Sequence, residues 1–131
     1  KHARWGNLLD ELSAEFGVLG VVEDHRGGEV YKSGLDDLVE HLNWDSPEEL
    51  KQVIRDFEDL DERLATLNSL LEGNTVNVFV GKRSPVTRSK HLSVIVADYG
   101  TGEKRVLLLA IGPKRMDYQK VIGVFKSLDE S

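Results

Sequence analysis

At 131 residues, with 40% hydrophobic and 31% charged side chains, the chain has the make-up of one soluble domain around a single core. It contains no cysteine, which excludes disulfides, cysteine-ligated zinc, iron–sulfur clusters and thiol nucleophiles. The net charge of −6 is unevenly placed: residues 1–72 hold 18 acidic against 7 basic side chains, and residues 73–131 hold 5 against 10. An acidic helical layer and a basic strand-and-loop surface are therefore expected on one molecule, either as two solvated faces or as an asymmetry that a partner reads. No apolar run approaches the ~18 residues that span a bilayer, and the N-terminus lacks signal-peptide order, so a cytoplasmic protein without membrane contact is expected. The only methionine is Met116, and the chain is expected to be processed or cut from a longer protein.

Trp5, Leu8, Leu9, Leu12 and Phe16 recur at helical spacing and predict a helix over 4–15 that ends before Gly17. Residues 18–22 read as a short buried strand, His25-Arg26-Gly27-Gly28 as a tight turn, and 29–32 as the returning strand. A short helix is predicted over 35–42. Ser46, Pro47 and Glu49 then form a helix start, with Ser46 as N-cap, Pro47 in the first helical position and Glu49 closing a capping box.

Leu50, Ile54, Phe57, Leu60, Leu64, Leu67 and Leu71 follow at steps of three or four, giving one long helix or two broken near 60–62, closed by Gly73-Asn74. Such a stripe either covers a sheet of the same chain or forms the seam of a homodimer. Three strands are predicted over 76–80, 91–99 and 104–111, the last two joined by a Gly100-Thr101-Gly102 hairpin. Gly112-Pro113 is expected to break the ladder, Asp117 to cap a terminal helix reaching about 128, and Val121, Ile122, Phe125 and Leu128 to form its apolar face. The order predicts an α+β domain over 1–131, with a largely antiparallel sheet of about five strands flanked by helices.

The loop over 81–90 holds Lys82, Arg83, Arg88 and Lys90 among small hydroxyl residues. It lacks the second glycine of a P-loop and leads into a strand, so it reads either as a solvated loop or as a contact for phosphate or DNA backbone beside a separate DNA-reading domain. Lys114 and Arg115 precede a helix N-terminus, where anions bind; alternatively Arg115 pairs with Asp117 or a neighbouring carboxylate while Met116 and Tyr118 fill the core. His2, His25, His41 and His91 show no paired spacing for a metal. Asp56, Glu58, Asp59, Asp61 and Glu62 read as the wet face of a helix. No catalytic, cofactor or metal residue is expected.

Gly112, Pro113, Arg115, Met116, Asp117 and Tyr118 fall on a Gly-Pro-x-Arg-Met-Asp-Tyr turn. Upstream, Ser93 and Tyr99 stand six residues apart in one strand, and Val78-Phe79-Val80-Gly81 forms another. These segments resemble the C-terminal part of the heat-inducible transcription repressor (HrcA) family. The resemblance implies a GAF-like fold, and a parent protein whose N-terminal winged helix binds an inverted-repeat operator as a dimer, represses chaperone genes and is kept active by the chaperonin. In that family an inserted dimerisation region separates the segments similar to 8–22 and 30–42; here only 24–29 lies between them, so the insertion is expected to be absent. Val106 and Leu109 stand where the family has glycines. The resulting expectation is a non-enzymatic regulatory and oligomerisation domain of a repressor, with the winged helix outside this chain. The competing one is a GAF-like sensor with a small-molecule pocket between sheet and helices, which an interior filled by Val94, Val96, Leu107, Leu109 and Ile111 would count against.

Overall fold

A computed structural model describes residues 2–24, 28–42, 47–71, 76–100 and 105–129, without the side chains of 2–6 and 128–129. The helix α1 (His2–Phe16) leads into the hairpin of β1 (Leu19–Asp24) and β2 (Glu29–Ser33). Three helices follow: α2 (Leu35–His41), α3 (Pro47–Glu58) and α4 (Leu60–Asn68). The strands β3 (Val76–Val80), β4 (Leu92–Tyr99) and β5 (Val106–Pro113) come next, and α5 (Tyr118–Asp129) closes the chain.

The five strands form one sheet in the order β2-β1-β5-β4-β3, with every neighbouring pair antiparallel. This is the expected α+β architecture. Alternate positions along the central strands serve two cores. Leu19, Val21, Leu107, Leu109, Ile111, Val94 and Val96 face α2, α3 and α4; Val22, Leu108, Ala110, Ile95 and Ala97 face α1 and α5. Because both faces are covered, β4 and β5 read as continuous apolar runs rather than as alternating ones.

Several details differ from the sequence reading. Gly112-Pro113 does not break the ladder: Gly112 pairs with Ser93 and Pro113 with Leu92, and only then does the chain turn. Proline is tolerated there because it occupies the last pair, and the next donor, the Lys114 N–H, reaches the His91 carbonyl at 3.1 Å. The helical stripe breaks at Asp59, one residue before the predicted break, and α4 ends at Asn68 rather than at Gly73-Asn74. Two tight bonds finish it, Ser69 N–H to Thr66 O at 3.2 Å and Leu70 N–H to Leu67 O at 2.9 Å. Ser46, Gly73, Asn74, the Thr101-Gly102 part of the second hairpin and His25 to Gly27 lie outside the described residues, as do the side chains of Trp5 and Leu128.

The Leu50 to Leu71 stripe divides by burial. Leu60, Leu64 and Leu67 are at most 1% exposed and pack in the core under the sheet; Leu50, Phe57 and Leu71 are half-buried, and Ile54 is exposed. Most of the stripe therefore spends its apolar surface inside the chain. Truncating Leu64 to alanine should cost about 2–5 kcal/mol of folding stability, whereas Ile54→Ala should stay within about 0.5 kcal/mol. Urea unfolding of the two variants checks this, and the reverse order would show that the stripe stabilises through an intermolecular seam.

Candidate functional site at the motif end of the sheet

One end of the sheet gathers the sequence features singled out above. There the C-terminal ends of α1 and α2, the start of α3, the strand ends of β4 and β5 and the first turn of α5 surround an open cleft of about 920 Å³. Its walls include Glu15, His41, Glu49, His91, Lys114, Arg115, Asp117 and Lys120 over a floor of Phe16, Leu42, Pro113 and Met116.

The Gly112 to Tyr118 motif builds the lip of this cleft. Gly112 is needed for close approach, since a Cβ there would lie 2.7 Å from Val18 Cγ1. After Pro113 a turn closes with the Met116 N–H on the Pro113 carbonyl at 2.9 Å, and this drops Met116 into the core, 7% exposed. Asp117 caps α5: its Oδ1 accepts from the Lys120 N–H at 3.2 Å, as the sequence predicts. The Tyr118 hydroxyl lies 2.5 Å from the Lys114 carbonyl and 2.9 Å from Ser93 Oγ, so it can donate to the first and accept from the second. Tyr99, six residues after Ser93, donates its hydroxyl to the Phe125 carbonyl farther along α5. The two residues that mark β4 in sequence thus tie α5 to the sheet at two heights.

Arg115 does not pair with Asp117. It is exposed and forms no ion pair among the described residues, while Lys120 Nζ sits 3.8 Å from Asp117 Oδ2. His91 Nε2 lies 3.6 Å from Glu49 Oε2, linking β4 to α3 across the cleft.

The basic loop adjoins this lip. A short 3-10 turn, Gly81–Arg83, opens it, with Gly81 at φ 61°, a left-handed conformation that suits glycine. A Cβ at Gly81 would lie 3.3 Å from the Lys90 carbonyl and 3.5 Å from Lys114 Cε, so the loop's two ends and the motif's lysine touch. Lys82, Arg83, Arg88 and Lys90 are all exposed, yet Ser84, Val86, Thr87 and Ser89 between them are buried. The Ser84 hydroxyl accepts from the N–H groups of Val86 and Thr87 at 3.0 and 3.1 Å.

What holds the loop is Asp56, which the sequence places on a wet helical face but which is 3% exposed. Its carboxylate accepts from the Arg88 N–H at 3.1 Å through both oxygens, from Arg63 Nη1 at 2.5 Å and from Gln52 Nε2 at 3.0 Å. Arg63 also donates to the Val86 carbonyl at 2.9 Å and reaches Asp59 at 3.2 Å. The helix break explains the difference. Restarting at Leu60 turns α4 so that Arg63, seven residues after Asp56, meets it from the next helix, a contact that continuous helical spacing does not predict. Glu58, Asp59, Asp61 and Glu62 are exposed as expected. A second buried pair, Asp98 with Arg105 at 2.8 and 3.0 Å, closes the opposite end of β4 and β5, and it raises the Arg105 pKa through hydrogen bonding to the carboxylate.

Among the described residues no group of three or more His, Asp and Glu side chains is placed to hold a metal. A void of about 10 Å³ lies in the interior beside Asp56, Phe57 and Thr87, room for at most one water. Three variants separate the roles at this end. Asp56→Ala should cost about 1–3 kcal/mol by leaving the buried loop's Arg88 N–H without its acceptor, with Arg63 still held by Asp59 and the Val86 carbonyl, and should release the Arg88 amide to fast hydrogen exchange. Gly112→Ala should cost about 1–3 kcal/mol through overpacking against Val18, whereas Arg115→Ala should be within about 0.5 kcal/mol. Chemical denaturation checks the ranking, and a costly Arg115→Ala would show that its charge is structural.

Residues 3–122 match the sequence profile of the HrcA protein C terminal domain. Among similar curated proteins is the heat-inducible transcription repressor HrcA of Thermodesulfovibrio yellowstonii, 30% identical over 104 residues that make up 79% of this chain and 30% of the relative. That of Geobacter sulfurreducens is 27% identical over 99 residues, 75% of this chain and 29% of the relative. That of Halalkalibacterium halodurans is 28% identical over 124 residues, 94% of this chain and 34% of the relative. The chain thus spans about a third of the length of these relatives. No solved structure matches the chain. A profile covering nearly every residue, with its motif seated in a turn that packs α5 on the sheet, means that the chain belongs to the HrcA C-terminal domain family.

Proposed function

We propose that this chain is the regulatory and oligomerisation domain of a cytoplasmic transcription repressor that controls chaperone genes in response to heat, and that it performs no catalysis. The observation that carries this reading is the family match over 3–122. In the proposed whole protein a winged helix outside this chain reads the operator as a dimer, and the chaperonin keeps the repressor active. This domain then contributes a stable body through which that state is sensed.

The filled interior supports a regulatory role over the small-molecule sensor. Val94, Val96, Leu107 and Leu109 are fully buried and Ile111 is 3% exposed, so the space between sheet and helices is occupied by side chains. A ligand of even ten heavy atoms would have to displace them. In architecture the domain is proposed to be GAF-like.

Deleting the encoding gene should raise chaperone transcripts at ordinary growth temperature, and the purified full-length product should retain a chaperone-promoter fragment in a gel-shift assay. Added chaperonin should increase the retained fraction. Unchanged transcripts after deletion, together with no promoter retention, would reject the repressor reading.

A further inference from the structure

We propose that Lys82, Arg83, Lys90, Lys114, Arg115 and Lys120 form one basic platform that docks on the phosphate backbone of duplex DNA. The inference rests on the repressor reading and extends it, because it gives this domain its own contact with the nucleic acid.

In the sequence these cations belong to two segments, 82–90 and 114–120, separated by two strands. The fold joins them. Lys114 Cε lies against the Gly81 position, the Lys90 carbonyl lies against the same point, and the Lys114 N–H is bonded to the His91 carbonyl at 3.1 Å. Lys114, Arg115 and Lys120 line the same wall of the cleft. All six side chains are exposed, and among the described residues only Lys120 has an ion-pair partner, Asp117, at 3.8 Å. Glu15, Glu49 and Asp117 line the same cleft, with Glu49 beside His91.

The platform is also preorganised. Asp56 fixes the Arg88 backbone, the Ser84 hydroxyl fixes the two residues before it, and the cap and turn at 113–117 fix the other half. Only side-chain tips remain to be ordered on binding, which keeps the entropic cost small. The chain carries a net charge of −6, so a positive surface on it concentrates anions locally while the rest repels them. Cations spread over two adjacent turns suit a regularly repeating row of phosphates, and the relatives named as transcription repressors work where such a row is at hand.

The test measures fluorescence anisotropy of a labelled 20-base-pair duplex of arbitrary sequence with the 131-residue chain, from about 20 to 200 mM salt. Each phosphate contact contributes about −0.9 to the slope of log K against log salt. The chain should bind weakly at low salt with a slope of about −5 to −6, as expected for six contacts. The quadruple variant K82Q/R83Q/K114Q/R115Q should flatten the slope by about 3 to 4 units, with its thermal midpoint unchanged. A second variant, Lys90→Gln with Lys120→Gln, should flatten it by about 2 units. Lys126→Gln, at the far end of α5, should leave it unaltered.

No binding at the lowest salt, a slope untouched by the quadruple variant, or preferential capture of a poly-glutamate peptide over the duplex would overturn the platform, the last pointing to an acidic protein partner instead. Failure here with promoter retention by the full-length product intact removes the platform alone. Duplex binding with no promoter retention and with transcripts unchanged on deletion removes the repressor reading instead.

Discussion

The rest of the structure follows from a sheet that is dry on both sides. In β4 and β5 almost every side chain is buried, whichever way it points, so helices must cover both faces before the sheet can exist in water. The chain supplies α1 and α5 for one face and α2, α3 and α4 for the other, and it does so from segments far apart in sequence. The strand β5 lies at the centre, between β1 and β4, and therefore lines up the N-terminal hairpin with the C-terminal strands. A strand that central cannot be lost locally. Its last turn, the Gly-Pro motif, is where the buried region meets solvent.

The loop between β3 and β4 poses a different problem. It has little regular structure of its own, yet Ser84, Val86, Thr87 and Ser89 are buried, so its backbone donors need acceptors away from water. Asp56 and Arg63 answer this need. A buried ion pair is weak evidence for net stability, because desolvating both charges offsets much of their attraction. Its value here is positional: one carboxylate and one guanidinium take up the Arg88 N–H and the Val86 carbonyl, and so choose one loop conformation among many. The four cations of the loop owe their placement to a charge pair that none of their side chains joins.

Much of this was legible in the sequence, and for a single reason. Strands 76–80 and 91–99, the 4–15 helix and the Asp117 cap are each announced by local pattern, a run or period of apolar residues bounded by a breaker, and each appears within a residue or two of its predicted place. The misreadings share the opposite character. Asp56 looks like one acid among five on a helix until the break at Asp59 brings Arg63 back to it. Pro113 looks like a terminator until β4 supplies it with a last partner in Leu92. Burial on one side of a helix is periodic and readable; a contact made by the next helix, or by a loop 32 residues away, is not. The platform is the extreme case, since its two halves meet only after β4 and β5 have paired.

Each position of the Gly112 to Tyr118 turn does something different for the fold. Gly112 admits Val18, Met116 fills the core, Asp117 caps α5 and Tyr118 locks α5 to Ser93, so packing and capping account for the chemistry of all four. Arg115 is different. It is exposed, unpaired among the described residues and placed beside Lys114 on the rim of the cleft, and nothing in the folding of the turn asks for a guanidinium there. A guanidinium there adds nothing to the packing of the turn and presents its charge to solvent. The buried members of the motif therefore explain the architecture, and its exposed cations are left available to the proposed platform.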